Sequence, residues 1–142
     1  MPEEFADRAA ITNYGLRIVS IVFCSAVIEQ PGTGNAIIKP FARLVFPDFP
    51  ATMSRLVIYF EVEGLFLAET VFFSIICMAN ATIYYQGHVE FLSGSPTGWE
   101  FSSLEIPDAH FPFAGEYLVI AQNAQGEELG RRSIFARKGT LP

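Results

Sequence analysis

The amino-acid sequence predicts an all-β fold, a single antiparallel β-sandwich of about seven to nine strands. Strand-like segments follow one another from Leu16 onward, separated by turn residues at the spacing of about 8 to 12 residues that sandwiches show. No long segment has the period of about 3.6 residues that marks an amphipathic helix. The segment Phe111 to Arg137 alternates as a complete β-hairpin. These observations favour an immunoglobulin-like sandwich or a related Greek key.

The length of 142 residues fits one domain with its own core. Residues 1–15 are predicted to form an N-terminal arm or short helix, because Pro2 and the two glutamates after it suit a first helical turn. Residues 16–142 then form the sandwich domain. No internal repeat or long linker divides the chain.

The first two predicted strands are separated by a clear turn. Arg17 to Glu29 ends at a cluster that contains Gly32 and Gly34, residues that readily take turn conformations. Asn35 to Phe46 follows and contains Pro40, which cannot donate a ladder hydrogen bond. We therefore expect this second strand to be bulged, broken or at a sheet edge.

The middle of the sequence predicts two longer strands. Arg55 to Glu63 alternates in part, so one face should be wet, with Val57 and Tyr59 on it. Thr70 to Ala79 is apolar on both faces, which is typical of a central strand covered on both sides. Of the connections that follow, residues 93–98 look the most flexible, because they are rich in Ser, Gly and Pro.

In the terminal hairpin, Tyr117 to Gln122 and Leu129 to Ala136 are the strands, and Asn123 to Glu127 supplies the turn. Three arginines lie in the last twelve positions, although the protein as a whole has a net charge of −6: Arg131, Arg132 and Arg137. We expect the closing strand to be an open edge that faces a partner, or else a solvated edge kept soluble by its arginines. The acidic body argues against nucleic acid as a partner.

Apolar residues are abundant. Hydrophobic residues make up 51% of the chain and charged residues 17%, compared with a typical charged share of about 25%. The excess apolar surface either faces a partner or fills the space between two sheets.

The N-terminus lacks a positive segment followed by an apolar one, so no secretory signal is visible. The apolar run Thr70 to Ala79 is too short to cross a bilayer as a helix. We therefore expect a cytoplasmic protein without membrane insertion, or part of a virion if a phage encodes it. Cys24 and Cys77 should then be buried and reduced, with an inter-sheet disulfide as the alternative.

No residue pattern predicts catalysis, a metal or a cofactor. The residues that come nearest to a set of metal ligands are His88, His110, Asp48 and Asp108. They lack the short spacers of zinc sites, and they lack the clustered oxygen ligands that calcium needs. No GxSxG elbow or phosphate loop occurs, and scattered glutamates are typical of a wet strand face. The sequence therefore predicts a protein that is not an enzyme.

Three short segments resemble a family of uncharacterised prokaryotic and phage β-sandwich proteins: Ile21 to Ile28, Phe46 to Thr52 and Phe113 to Tyr117. Members of that family share a strand ending near a cysteine and an alanine, a Phe-Pro-Ala-Thr segment, and a Pro-Gly-Glu-Tyr start to the last hairpin. Here Ala114 stands in place of that proline. The resemblance implies a small antiparallel sandwich of bacterial, archaeal or phage origin, with no assigned activity and no site residues.

The predicted function is that of a structural or assembly subunit, which acts through self-association or by docking on a larger complex. Candidate interface residues are aromatic or basic: Phe5, Trp99, Phe101, Arg131, Arg132 and Arg137. The alternative is a soluble binding module for a peptide or glycan, at the Trp99 loop or at an open strand edge. Four aromatic residues could line such a groove, although core or interface anchors are the commoner role: Tyr84, Tyr85, Trp99 and Phe101. A small-molecule ligand is not expected.

Overall fold

The computed structural model describes residues 15–30, 34–38, 41 and 43–139. Every regular element in this part of the chain is a strand, which confirms the all-β prediction. The strands are β1 Arg17–Cys24, β2 Ala26–Gln30, β3 Gly34–Ile38, β4 Arg43–Phe46, β5 Ala51–Glu63, β6 Glu69–Cys77, β7 Thr82–Phe91, β8 Glu100–Phe111, β9 Gly115–Gln122 and β10 Glu128–Lys138. Most of the predicted N-terminal arm, including Phe5, lies outside the described residues.

Eight of these strands form two sheets. The three-stranded sheet has the order β1-β5-β8, and the five-stranded sheet has the order β4-β10-β9-β6-β7. Strands β2 and β3 form a separate antiparallel hairpin. Strand β5 pairs with β8, whereas β6, the next strand after β5, lies in the other sheet. Such crossing connections are typical of immunoglobulin-like sandwiches.

The core lies between the two sheets. Alternate side chains of β5 point inward, and Leu56, Ile58 and Phe60 are fully buried. The ring of Phe60 packs edge-on against Phe73 of the opposite sheet, with ring centroids 4.8 Å apart. Burial of a side chain of this size contributes about 1.5–3 kcal/mol, so this layer holds the two sheets together.

A buried tyrosine closes the turn between β8 and β9. The Tyr117 hydroxyl donates to the carbonyl oxygen of Phe113 at 2.7 Å and accepts from the Phe113 amide at 3.1 Å. Burial raises the pKa of Tyr117 to about 12. This is the tyrosine corner of immunoglobulin-like sandwiches, in which the second disulfide cysteine of antibody domains stands two residues later. Here that position holds Val119, which is fully buried.

The two cysteines are buried and not linked by a disulfide, as predicted. Cys77 belongs to the main core between the sheets. Cys24 instead packs with Val57 and Tyr59 in a second apolar cluster. The two thiols therefore belong to different clusters, which removes the inter-sheet disulfide considered as the alternative.

The terminal hairpin has the predicted strands, but its second strand is not an open edge. Strand β10 lies between β9 and β4, and β4 pairs with it in parallel from Phe135↔Arg43 to Lys138↔Phe46. Pro40, where we predicted a bulge, a break or a sheet edge, lies outside the described residues; β3 ends at Ile38 and β4 begins at Arg43. Strand β4 pairs with the last four residues of β10, which is why the prediction of an edge is wrong for that part of the strand.

Two predictions about strand faces are also corrected. Val57 and Tyr59 were expected on a wet face of β5, but they are only 2% and 7% exposed. They pack with Cys24 and Val22 of the neighbouring strand β1 in the second apolar cluster, and β2 also contacts β5. Strand β6 is central, as predicted, but its outer face is not fully covered, since Phe72 is 41% exposed. No helix in the described residues is long and apolar enough to cross a membrane.

Candidate functional site

Three chain segments meet at one end of the sandwich, which we call the loop end. The start of β1 lies beside the end of β5, with Arg17 opposite Glu63. The start of β8 lies on the other side of β5, with Glu100 opposite Val62. The β5–β6 and β7–β8 connections therefore lie next to each other at this end. Segments that are distant in the sequence can thus form one surface.

The two connections are hydrogen-bonded to each other. The Leu65 amide donates to the carbonyl of Gly98 at 2.9 Å, and the Ser95 amide donates to the carbonyl of Leu65 at 2.8 Å. Leu65 is 1% exposed and anchors the pair in the main core. The Phe66 ring packs against Gly98, where an added Cβ would lie 2.6 Å from the ring. These contacts fix the position of Phe66.

The loop before Trp99 is held by its own side chains. Ser95 Oγ donates to the Trp99 carbonyl at 2.8 Å, and Thr97 Oγ1 accepts from the Trp99 amide at 3.2 Å. The Gly98 amide also donates to the carbonyl of Ser95 at 3.0 Å. Both backbone groups of Trp99 are therefore hydrogen-bonded to the segment whose composition looks the most flexible.

A cleft of about 540 Å³ opens at the loop end. Its volume falls in the range of about 300–1,000 Å³ that small ligand sites occupy. Two aromatic side chains in it are open to solvent, with Phe66 64% and Trp99 42% exposed. The lining residues are Gly15, Arg17, Glu63, Gly64, Phe66, Thr97 and Trp99.

The polar side of the cleft is an ion pair. Arg17 Nε donates to Glu63 Oε1 across the β1–β5 pair. Next to it, Gly64 has φ +78° and approaches Gly15 so closely that an added Cβ would lie 1.9 Å from the Gly15 carbonyl oxygen. Glycine is therefore required at position 64, and the tight approach holds the start of β1 at the cleft.

The aromatic surface continues from the cleft along β8. Phe101 lies two residues after Trp99, is 39% exposed, and has its ring centroid 6.0 Å from that of Tyr59. Glu61 of β5 lies directly opposite Phe101 in the register of the sheet. We call Phe66, Trp99 and Phe101 the aromatic strip. The structure thus brings together two of the predicted interface residues, Trp99 and Phe101.

The predicted interface arginines lie away from the aromatic strip. Arg131 donates to both carboxylate oxygens of Glu128 at 3.0 Å, and this hydrogen bonding holds the pKa of Glu128 below its usual value. Arg132 donates to the carbonyl of Ile21, and its guanidinium lies 5.5 Å from the centroid of the Phe23 ring. It therefore links β10 to β1 rather than facing solvent. Arg137 is exposed near the end of β10.

The other two aromatic residues of the predicted groove lie elsewhere. Tyr84 and Tyr85 line a cavity of about 80 Å³ between β7 and β8, where the Tyr84 ring is 6.1 Å from that of His110. His88 is near Glu90, with 3.7 Å between Nε2 and Oε1. The described part of the chain contains no group of three or more His, Cys, Asp or Glu side chains that could hold a metal ion.

Sequence reasoning identified Trp99 but not the residues that complete its cleft. Phe66, Arg17 and Glu63 come from two other segments, and only the pairing of β1, β5 and β8 brings them to Trp99. One local signal was present. Phe66 and Leu67 are large apolar residues in a connection that follows glycine, and both are exposed.

Comparison with solved structures shows related folds at low sequence identity. An alkylpurine DNA glycosylase from Pseudomonas fluorescens, bound to DNA with an abasic-site analogue, matches 90% of this chain with a TM-score of 0.50 and 14% identity. This chain spans 32% of the length of that enzyme. An immunoglobulin-like protein from Pseudomonas aeruginosa matches 86% of this chain and 96% of its own, with a TM-score of 0.43 and 12% identity. A β-glucosidase from Listeria innocua matches 86% of this chain and 16% of its own, with a TM-score of 0.45 and 8% identity.

No family model and no curated protein matches the sequence. The resemblance to a prokaryotic and phage family therefore stays a prediction. Structural similarity at these identities concerns the fold alone. The two sheets, their strand order and the tyrosine corner show that the protein is an immunoglobulin-like β-sandwich.

Proposed function

We propose that the protein is a non-enzymatic binding module that holds a ligand at the loop-end cleft. The observation that carries the proposal is the exposure of Phe66 and Trp99 on two connections that are hydrogen-bonded to each other. Large aromatic side chains are enriched where proteins bind partners, because each can bury about 150–250 Å². Here two of them line one concave surface.

The fixed loops support binding through their low ordering cost. A ligand that meets a mobile loop must order it, at about 0.5–1.5 kcal/mol for each side chain that it immobilises. The Trp99 backbone is already held by Ser95 and Thr97, and Phe66 already packs on Gly98. Little of the free energy of contact is therefore lost on ordering the site.

The test uses the single tryptophan of the chain as its reporter. We expect a ligand from a panel of peptides and oligosaccharides to change Trp99 fluorescence in a saturable manner. Phe66→Ala should weaken that binding by about tenfold or more, the equivalent of about 1.4 kcal/mol. Leu92→Ala is the matched control, because Leu92 is 85% exposed in the β7–β8 connection but does not line the cleft. Equal binding by both variants would place the ligand elsewhere.

The role of structural or assembly subunit is a second candidate function, with a second copy of the chain as the partner. It is favoured by the outer face of the five-stranded sheet, where apolar side chains are exposed or half-buried: Phe72, Ile76, Ile83, Leu118, Ile120 and Phe135. From strand spacing and rise, five strands of about eight residues form a face of roughly 20 by 27 Å. The face therefore has a flat area of roughly 540 Å², about two-thirds of the ~800 Å² per partner of a standard interface.

The distribution of charged residues on this face favours a dimer whose two copies are related by a two-fold axis parallel to the strands. Strand β7 carries the exposed side chain of Glu90 on one side, while Arg43 and Arg137 are exposed on the opposite side, on β4 and β10. Such an axis would place the acidic side of each copy against the basic side of the other. Location in the cytoplasm, or in a virion, stays a prediction.

Sedimentation velocity over a wide concentration range tests this second candidate. We expect a dimer that dissociates in Phe72→Ser/Phe135→Ser, because these substitutions remove two of the exposed apolar contacts. Phe101→Ser is the control, since it lies on the other sheet. A monomer at every concentration would exclude self-association.

A further inference from the structure

We propose that the loop-end cleft and the aromatic strip bind the side chains of lysine or arginine in an extended cationic peptide. This inference rests on the binding function proposed above and specifies its ligand. The site combines open aromatic rings with carboxylates, and these are the two groups that attract a cation carried on an apolar stem.

The aromatic rings provide the first half of this recognition. The face of an aromatic ring is electron-rich, so a guanidinium or ammonium within about 6 Å of its centroid is attracted to it. Trp99 is the ring type that gives the strongest attraction, and Phe66 is the most exposed ring of the strip. The methylene stem of lysine or arginine would meanwhile cover apolar surface in the cleft.

Carboxylates provide the second half. Glu63 lines the cleft, and Glu61 lies opposite Phe101 in the sheet register. One cation, Arg17, is paired with Glu63. The site therefore has two carboxylates against one guanidinium, in a protein of net charge −6. The local charge favours a cationic ligand, and the charge of the whole chain steers it towards the protein.

The same lining is poorly suited to an oligosaccharide. A neutral sugar needs several hydrogen-bonding partners besides an aromatic face. Apart from the indole N–H of Trp99, Thr97 has the one uncharged polar side chain among the described residues that line the cleft. Its Oγ1 already accepts from the Trp99 amide and lies 3.2 Å from Ser95 Oγ. The available polar groups are thus charged, which favours a charged ligand.

The spacing of the strip suggests how the peptide lies. Trp99 and Phe101 are two residues apart, so their Cα atoms are about 6.6–6.8 Å apart in extended chain. An extended peptide presents alternate side chains on one face at the same interval. A peptide with two basic residues separated by one other residue can therefore place one cation beside Trp99 and Glu63 and the other beside Phe101 and Glu61.

The experiment is a fluorescence titration of Trp99 with the capped peptide Gly-Arg-Ser-Arg-Gly. Matched peptides carry leucine or glutamate in place of arginine, and a neutral oligosaccharide panel is run in parallel. We expect saturable binding of the arginine peptide and no saturable binding of the glutamate peptide. The dissociation constant should rise several-fold between about 50 mM and about 300 mM NaCl, because salt screens exposed charges.

Charge-removing variants locate the effect. Glu61→Gln/Glu63→Gln should raise the dissociation constant of the arginine peptide by about tenfold or more. Glu105→Gln is the matched control, because Glu105 also lies on the three-stranded sheet and pairs with an arginine, Arg55, but does not line the cleft. Thermal unfolding followed by circular dichroism checks that each variant folds, so that loss of binding is not loss of structure.

Three outcomes would overturn the inference. In the first, the leucine peptide binds as tightly as the arginine peptide and the glutamine variants change nothing. In the second, an oligosaccharide binds and the peptides do not. Both leave the proposed binding function standing. In the third, no peptide or oligosaccharide changes Trp99 fluorescence, and the binding function then fails together with the inference.

Discussion

The hydroxyl of Tyr117 donates a 2.7 Å hydrogen bond to the carbonyl oxygen of Phe113, four residues earlier in the chain. The Phe113 amide returns a bond of 3.1 Å to the same oxygen. One buried side chain therefore satisfies both backbone groups of the residue that leads from β8 into β9. The ring of Tyr117 also packs edge-on against Phe111, with centroids 5.0 Å apart. The corner is thus held by apolar packing and polar contacts together.

Tyr117→Phe should destabilise the protein by about 1–3 kcal/mol, because it removes both hydrogen bonds and leaves the Phe113 groups unpaired. Chemical denaturation of the two proteins measures the difference. Tyr84→Phe is the control, since the Tyr84 hydroxyl bonds at the surface with Asn80 Nδ2 at 3.2 Å. A change of less than about 0.5 kcal/mol is expected there. Equal effects of the two variants would show that the corner is not a special source of stability.

Tyr117 should also make stability depend on pH in the alkaline range. Burial raises its pKa from the ordinary 10.0 to about 12, so the unfolded chain releases the proton at lower pH than the native protein. The free energy of unfolding should therefore be unaffected by this group below pH 10 and fall as pH rises towards 12. A shift of this size corresponds to about 2–3 kcal/mol. Subtracting the free energy of unfolding of Tyr117→Phe from that of the wild type at each pH removes the contribution of the other titrating groups. A difference that does not change with pH would contradict the prediction.

Gly98→Ala should disturb the cleft more than its backbone strain alone predicts. Gly98 has φ +75°, and an added Cβ would lie 2.6 Å from the Phe66 ring. Gly126 has φ +83° and open space around the position of a Cβ, so Gly126→Ala measures the strain without the contact. Both variants should lose about 1–3 kcal/mol of stability. Weakened ligand binding is expected for Gly98→Ala alone, because it displaces Phe66.

Phe60→Ala should lose about 3–5 kcal/mol, because it leaves a cavity between the sheets. Phe60 is fully buried and contacts rings of the opposite sheet at Phe73 and Phe91. Phe135→Ala removes an equally large side chain that is 47% exposed, and it should cost much less. Urea denaturation compares the two. If their costs were similar, the layer between the sheets would not be the principal source of stability.

The thiols of Cys24 and Cys77 should react slowly with a water-soluble thiol reagent in the native protein and rapidly after denaturation. Both are buried, at 0% and 1% exposure, and neither is in a disulfide. A buried thiol is inert because a water-soluble reagent cannot reach it in the native protein. Counting reacted thiols by mass spectrometry under both conditions gives the result. Rapid native labelling of Cys24 would mean that the second apolar cluster opens readily.

Local pattern was sufficient for the terminal hairpin and the central position of β6. The apolar segment Tyr117 to Gln122 is followed directly by a turn that contains Gly126, so both strands of the hairpin could be predicted from neighbouring residues. The edge prediction for β10 failed because its other neighbour is β4, a four-residue strand far away in the sequence. No local pattern in either segment indicates that β4 and β10 pair in parallel.

The candidate site, like the fold, could be predicted only where the signal is local in the sequence. Trp99 stands out in the sequence because a tryptophan next to a glycine-rich loop is unusual. Its setting depends on long-range pairing, since Arg17 and Glu63 are 46 residues apart in the chain. Burial of Val57 and Tyr59 was missed for a related reason. The alternation of β5 is partial, and its second apolar face packs with Cys24 and Val22 of β1, a pairing that no local pattern indicates.

The parallel pairing of β4 with the end of β10 has a consequence for folding during synthesis. The partner of β4 in the five-stranded sheet is β10, which is synthesised after β5 to β9. Until then the backbone groups of β4 that pair with β10 can find partners only in water, in other strands or in chaperones. Because contacts between distant segments carry a high entropic cost of loop closure, docking of β4 is expected to be a late step. A nascent chain from which β10 has not yet emerged therefore leaves β4 without its partner in the five-stranded sheet.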